Sequence, residues 1–263
     1  MCLRFRYSCL LGAILLLFGA TVGPASARAP VADSTALDSA LVEVDQLRGE
    51  GQFREALSRI SVLREEHGDR VGLLWRASLT RVDLGKTTEG STTQHHYQEA
   101  LTLAETALTV DASEANAHLA KAVAEGRIAL DAGTKERVQR SRKVKEHADR
   151  AIEIDSTLAA AYHVRGRWNR EVSDLNFIER TIVKTVYGGL PDASFEQAVR
   201  DFKRAIELEN VRFHHLELGK TYLKMDQEAD ARAAFQAVLD LPKNEYFDDQ
   251  YREEAETLLD EMG

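Results

Sequence analysis

The chain has 263 residues with 43 acidic against 34 basic side chains, a formal charge of −9, and 44 % hydrophobic residues. That sign argues against a protein that grips nucleic acid or anionic membrane over its whole surface, which would need the opposite charge. The two cysteines, Cys2 and Cys9, both fall in the first ten residues, so the remainder can form no disulfide and no thiolate metal site.

At the start, Arg4 and Arg6 precede an apolar run from Cys9 to Val22 and the small residues Pro24-Ala25-Ser26-Ala27. A basic start, a short apolar span and a small-residue exit make a secretory signal, expected to be cleaved after Ala27. The rival, an uncleaved anchor, is disfavoured because the run is shorter than the ~20 residues a helix needs to cross a bilayer. Arg6-Tyr7-Ser8 before Cys9 does not resemble a lipoprotein attachment sequence. The chain is therefore expected to be exported, with a bacterial periplasm or secretion preferred and a eukaryotic secretory lumen as the alternative, and with no transmembrane anchor left after cleavage. Its charge then becomes −11. Residues 28–34 are expected to be a flexible leader, and 35–263 one repeat domain.

Beyond Ala27 only Pro30, Pro191 and Pro242 interrupt a sequence rich in Ala, Leu, Glu and Arg, which favours long helices. One phrase is written three times: Ala107-Leu-Thr-Val-Asp111, Ala151-Ile-Glu-Ile-Asp155 and Ala205-Ile-Glu-Leu-Glu209. Each closes a segment with apolar residues three or four apart: Ala100, Ala104, Ala107; then Val144, Ala148, Ala151; then Ala198, Phe202, Ala205. Ala56, Ile60, Leu63 and Ala231, Phe235, Val238 extend the series at both ends, so five such helices are predicted. A first helix precedes each, clearest in Tyr162-His-Val-Arg-Gly166 and Leu218-Gly219-Lys-Thr-Tyr222. Glycine inside a helix costs about 1 kcal/mol against Ala, so Gly166 and Gly219 are expected where a partner helix comes close.

A small residue, a nearby aromatic and an Ala in the partner helix form the tetratricopeptide signature, best matched from Phe213 to Pro242. The predicted fold is all-α: a right-handed superhelix of about five degenerate tetratricopeptide-like helix pairs with insertions and a C-terminal closing helix from Tyr246 to Met262. Spacings of 44, 44, 54 and 33 between successive second helices exceed, in the first three, the ~34-residue period. Insertions are thus placed at Gly85–Gln94, Asp131–Arg142 and Leu175–Pro191, lengthening helices or bulging on one rim. Helix starts are expected at Asp111-Ala-Ser-Glu114 and Ser194-Phe-Glu-Gln197, where polar caps satisfy free amide hydrogens.

With these inserts placed, the mature sequence resembles the regulator of microtubule dynamics family of divergent tetratricopeptide proteins. The resemblance rests on Leu73-Leu-Trp75-Arg76-Ala77, Lys143-Val-Lys-Glu-His147 with Ala151-Ile-Glu-Ile-Asp155, Gly166-Arg-Trp168, Leu218-Gly-Lys-Thr-Tyr-Leu-Lys224, and the long insert before Pro191. It implies a helical domain used for protein contacts and, in some relatives, for holding phospholipid at membrane contact sites. Microtubule binding is not carried over, because a cleaved export signal would place the chain away from microtubules.

No catalytic signature is present: no His-Glu-x-x-His, no Gly-x-Ser-x-Gly, no phosphate-binding loop and no dinucleotide glycine cluster. His95-His96 and His214-His215 are neighbours pointing about 100° apart on a helix, unsuited to one ion. A non-catalytic protein without cofactor or metal is expected, acting by binding.

Aligning the first helices on their small residues places Lys121, Arg167 and Lys220 at equivalent positions, with Arg76, His163 and Arg170 about a turn away. Such a column would suit an anionic ligand: an acidic protein or peptide segment, or a phospholipid phosphate. The plainer reading, preferred because a one-residue alignment error scatters the column, is salt bridging to Glu125, Glu171 and Glu217. The basic run Lys135, Arg137, Arg140, Arg142, Lys143, Lys145 is expected to be a solvated insertion, with an acidic partner or lipid headgroup as the sharper option. Phe177, Ile178, Ile182, Val183, Val186 and Tyr187 fall at helical spacing and are expected to fill the inner space of the array; lining a lipid cavity or touching a membrane is the alternative.

Overall fold

The repeated phrase is a helix stop. In the computed structural model, which describes residues 31–263 and side chains from residue 36 onward, the amides of Asp111, Asp155 and Glu209 donate to the carbonyls of Ala107, Ala151 and Ala205 at 2.8–2.9 Å. Each then leaves the helix in extended conformation. The Asp111 and Asp155 carboxylates go on to accept the amides of Ser113 and Thr157, both at 2.8 Å, turning the chain toward the next helix. The cap of that next helix is Glu114, which accepts from Asn116, so Asp111 belongs to the turn and not to the helix start. Ser194 caps its helix as expected, accepting from the Gln197 amide at 3.1 Å.

Twelve helices and no strand form among the described residues. Five pairs are α1 (Val31–Gly49) with α2 (Phe53–His67), α3 (Val71–Lys86) with α4 (Gly90–Val110), α5 (Ala115–Asp131) with α6 (Thr134–Ile154), α7 (Ala159–Ser173) with α9 (Phe195–Leu208), and α10 (Arg212–Lys224) with α11 (Glu228–Asp240). Between α7 and α9 lies α8 (Phe177–Tyr187), and α12 (Asp248–Glu261) follows the last pair. The expected export signal, 1–27, lies outside the described residues, and α1 takes in the last four residues of the expected leader.

The first two inserts lengthen their helices: α4 and α6 have 21 residues each, against 13 to 15 for α2, α9 and α11. Gly85 is not part of the first insert but a packing residue of α3: a Cβ there would sit 2.5 Å from the Tyr97 ring. A Cβ on Gly166 would sit 3.0 Å from Phe202, and one on Gly219 2.4 Å from Phe235, which is the close approach the sequence called for. The third insert makes α8.

First helices pack on one another in the order α1, α3, α5, α7, α10, α12, whereas the second helices pack chiefly on the first helices before and after them. The first helices are therefore the inner layer of a curved array. Its two ends meet: the Tyr246 amide donates to Gly49 O at 2.9 Å, Phe53 packs against Tyr246 and Phe247 at 5.4 and 5.8 Å, and Lys86 Nζ lies 4.6 Å over the Phe247 ring. Tyr246 is thus in the seam before α12 and not in the closing helix, and the end of the array is docked instead of free. No described helix is long and apolar enough to cross a membrane.

Candidate functional site

Of the six candidates on the inner helices, four come together and two do not. Glu217 of α10 is their hub: Arg170 NH1 reaches it at 2.6 Å, Lys220 at 3.1 Å and Arg167 at 3.5 Å. Burial alone would raise the Glu217 pKa, but Arg167, Arg170 and Lys220 outweigh it and hold the carboxyl well below the usual carboxylate range. Lys220 also meets Glu254 of α12 at 2.5 Å, and Arg170 meets Glu171 at 2.9 Å. His163 lies beside this hub, Nδ1 to Nδ1 with His214 at 2.9 Å and edge-on to Phe202 and Phe213; burial and its neighbour His214 keep it uncharged.

Arg76 and Lys121 stand apart. Arg76 forms a two-pronged pair with Asp45 of α1, both contacts at 2.9 Å, and covers the Trp75 ring. Lys121 turns to Glu105 of α4 at 3.3 Å. Salt bridging, the plainer expectation, describes the set, though its carboxylates differ: Glu125 pairs with Arg140 and Lys143 of α6, at 2.5 and 3.0 Å.

The residues the sequence reading passed over define the inner line. Four first helices each carry a glycine followed by a cation: Gly85-Lys86, Gly126-Arg127, Gly166-Arg167 and Gly219-Lys220. Lys86 feels Arg127, and Arg127 feels Arg167. Burial, and beyond it the Asp83 charge and then Arg127, act on Lys86, whose pKa is lowered overall; burial and then Arg167 lower that of Arg127. Asp83, paired with Arg48 at 2.6 Å and Lys86 at 2.7 Å, anchors one end and Glu217 the other. Between them Arg127, half-buried near Tyr97 and Tyr251, forms no ion pair or hydrogen bond among the described residues and feels Asp83 only as a minor attraction, outweighed by burial and Arg167. A desolvated guanidinium with no carboxylate in contact is unfavourable by itself. The recurring Gly-Lys and Gly-Arg dipeptides were the available signal.

The basic run in α6 is solvated only in part: Lys135, Arg137 and Lys143 are exposed, yet most of the run is bonded to other groups. Arg137 donates to the carbonyls of Ala129 and Ala132 at the end of α5, at 3.2 and 3.1 Å, and Arg140 and Lys143 neutralise the buried Glu125. Arg142 donates to the carbonyls of Tyr187 and Gly189 at the end of α8, and Lys145 pairs with Asp149. All but the Lys145–Asp149 pair, which lies within α6, are ties between elements. Lys135 alone of the six has no partner among the described residues.

The apolar insert does not fill the array. Asn176 and Glu179 close a capping box and Gly188, at φ 76°, ends the helix in left-handed conformation. Yet Phe177 is 83 % exposed, Ile178 69 %, Val186 65 % and Ile182 42 %; Val183 is the buried residue of α8. Leaving side chains of this size in water forgoes about 1.5 to 3 kcal/mol apiece for full exposure.

A curved array of paired helices, first helices inward and a glycine facing an aromatic in most pairs, is a tetratricopeptide-like repeat scaffold. The crystal structure of a thermophilic tetratricopeptide protein from Thermus thermophilus superposes with a TM-score of 0.62 at 18 % identity, covering 84 % of this chain and 98 % of that one, which establishes the fold. The model of the family described as regulator of microtubule dynamics protein 1-3 matches residues 40–263, and the chain belongs to that family. Among its relatives, regulator of microtubule dynamics protein 1 of Caenorhabditis elegans is 30 % identical over 131 residues, 48 % of this chain and 56 % of that protein. The human protein 1 is 30 % identical over 129 residues, 48 % and 41 % of the two lengths, and the Xenopus laevis protein 3 is 28 % identical over 139 residues, 52 % and 29 %. These matches thus span from under a third to just over half the length of the relatives.

Proposed function

We propose that this chain is an exported, non-catalytic scaffold whose inner surface binds an acidic segment of a protein partner. The observation that carries the reading is the inner line of cations Lys86, Arg127, Arg167 and Lys220, balanced at its ends but not at Arg127. In a chain of charge −9, that line gives the inner layer a sign opposite to the exterior and would orient an approaching carboxylate. Of the six original candidates, Arg167 has the most reachable side chain, 37 % exposed, then Lys220 at 25 %. Arg170, at 9 %, would support these through their shared partner Glu217 and His163 by packing, whereas Lys121 and Arg76, at 17 and 16 %, are held apart by Glu105 and Asp45.

Fluorescence anisotropy with a labelled oligo-glutamate peptide tests this. Arg127→Ala, and separately Arg167→Glu with Lys220→Glu, are expected to weaken binding about tenfold or more at unchanged helical content, since truncating a desolvated charge pair costs ~2 kcal/mol or more. Equal affinity in all three proteins would remove the reading. A phospholipid phosphate would meet the same cations; native mass spectrometry of the purified protein separates that case by a co-purifying lipid mass. Export predicts that the protein recovered from its host begins at Arg28.

A further inference from the structure

An amphipathic helix ordinarily turns its apolar side to the core, and α8 does the reverse. Val183 and Tyr187 face α6, while Phe177, Ile178 and Ile182 turn to solvent and Val186, 65 % exposed, stands at the edge beside α6. The polar atoms on that outward side ask nothing of water: Thr181 Oγ1 donates to Phe177 O at 2.7 Å and Thr185 Oγ1 to Thr181 O at 2.8 Å. Its backbone ends are closed by the Asn176 and Glu179 box and by Arg142, so the helix is complete as it stands. This face is built for an environment without hydrogen-bonding demand.

The charge beside it narrows the choice. Segments 134–145 and 177–187 together hold eight cations; Arg140, Lys143 and Lys145 are matched by Glu125, Glu136 and Asp149, which leaves Lys135, Arg137, Arg142, Arg180 and Lys184 against Glu179 in a chain of net charge −9. Arg142 and Lys135 share a surface hollow with Val186 and Tyr187, so the basic rim adjoins the apolar face. Lys135, Arg180 and Lys184 are exposed, and the cations that bond to carbonyls keep their full charge. A local excess of positive charge next to exposed Phe and Ile side chains suits an anionic lipid surface, where each cation near the interface adds to the binding and the apolar face sinks to the acyl boundary. An acidic protein as a whole would be repelled from such a surface except at this patch, which therefore sets orientation.

We infer that α8 with the start of α6 is a peripheral docking face for the anionic leaflet of a bilayer, with α8 lying in the plane of the interface. This use is independent of the inner cation line, which involves none of these residues.

The test uses the purified chain and vesicles of phosphatidylcholine alone or of equimolar phosphatidylcholine and phosphatidylglycerol. Co-sedimentation is expected with the anionic vesicles, at least about tenfold stronger than with the neutral ones and weakened by salt. Ile178→Ser with Ile182→Ser, both exposed positions, and separately Lys135→Glu with Lys184→Glu, are each expected to reduce binding about tenfold at unchanged thermal stability. Phe177→Trp is expected to shift its emission to the blue on anionic vesicles only. No binding, binding indifferent to these substitutions, or an unshifted Phe177→Trp emission overturns the inference. So does a wild-type dimer in sedimentation velocity that the Ile178→Ser, Ile182→Ser protein fails to form, because the face would then belong to a second copy.

Discussion

Glycine acts oppositely at two places in the inner helices, and the neighbouring atoms decide the sign. At Gly219 a methyl group would lie 2.4 Å from the buried Phe235 ring, so Gly219→Leu is expected to destabilise by about 1 to 3 kcal/mol or more through overpacking. At Gly126 the nearest atom, Val144 Cγ2, is 3.7 Å away, so Gly126→Ala meets no clash and gains up to about 1 kcal/mol of helix propensity. Thermal melts check the pairing of α10 with α11 by the first variant and of α5 with α6 by the second: a lower Tm for Gly219→Leu and an equal or higher one for Gly126→Ala.

Histidine pairs give the protein an acid limit. His118 Nε2 lies 3.1 Å from the carbonyl of Ala112, which only accepts, so that nitrogen carries the proton and His118 Nδ1 accepts from His147 Nδ1 at 2.8 Å. Burial first, then Lys121 and His118, push the His147 pKa down to about 4, and burial with His215 pushes His214 to about 3. In the unfolded chain histidine titrates near 6.5. Above that pH neither state holds the extra proton; as pH falls from 6.5 toward 4 the unfolded chain binds it first, so stability drops across this window. Denaturation midpoints at pH 7 and pH 5 are expected to differ, and His147→Gln is expected to shrink the difference. An unchanged difference would show that the pair is not its source.

At the scale of elements, the long outer helices and the inserted one follow different logic. The added turns of α4 and α6 continue an existing helix and bury Tyr97 and Val138, so their packing is continuous with the repeat. The eleven residues of α8 are too few to be stable alone, and its caps and Arg142 supply what packing does not. Arg142→Ala is expected to lower hydrogen-exchange protection in 177–187 selectively, with little change in Tm. Equal protection in the variant would mean that Val183 packing suffices.

Apolar spacing made the helix pairs legible because it repeats within each element, where neighbours are three or four residues apart whatever the rest of the chain does. The inner cation line was half legible. Arg167 and Lys220 came from aligning small residues, but the same alignment chose Arg76 and Lys121 over Lys86 and Arg127, a shift of several residues that turns the side chain toward Asp45 or Glu105 instead.

At the scale of the whole molecule, closure is the feature that changes behaviour. An open repeat array frays from its ends because each unit touches only its neighbours. Here Phe53, 4 % exposed, holds Tyr246 and Phe247 across the seam, and Gly51, at φ 81°, leaves no space for a side chain beside Tyr246. Phe53→Ala is expected to cost about 3 kcal/mol or more, and to expose amides of α2 and α12 to exchange together. Loss confined to α2 would show that the two ends are energetically separate.

What the amino-acid sequence determined by itself is local: helices, their stops after Ala107, Ala151 and Ala205, and the glycines where pairs approach, because each depends on residues within a turn or two or on one partner helix. The tertiary structure alone decided which cations share the inner layer, that the ends meet, and that α8 shows its apolar side outward. Those depend on how far each pair is rotated against the next, and small rotations, summed over five pairs, choose which residues from distant parts of the chain face each other.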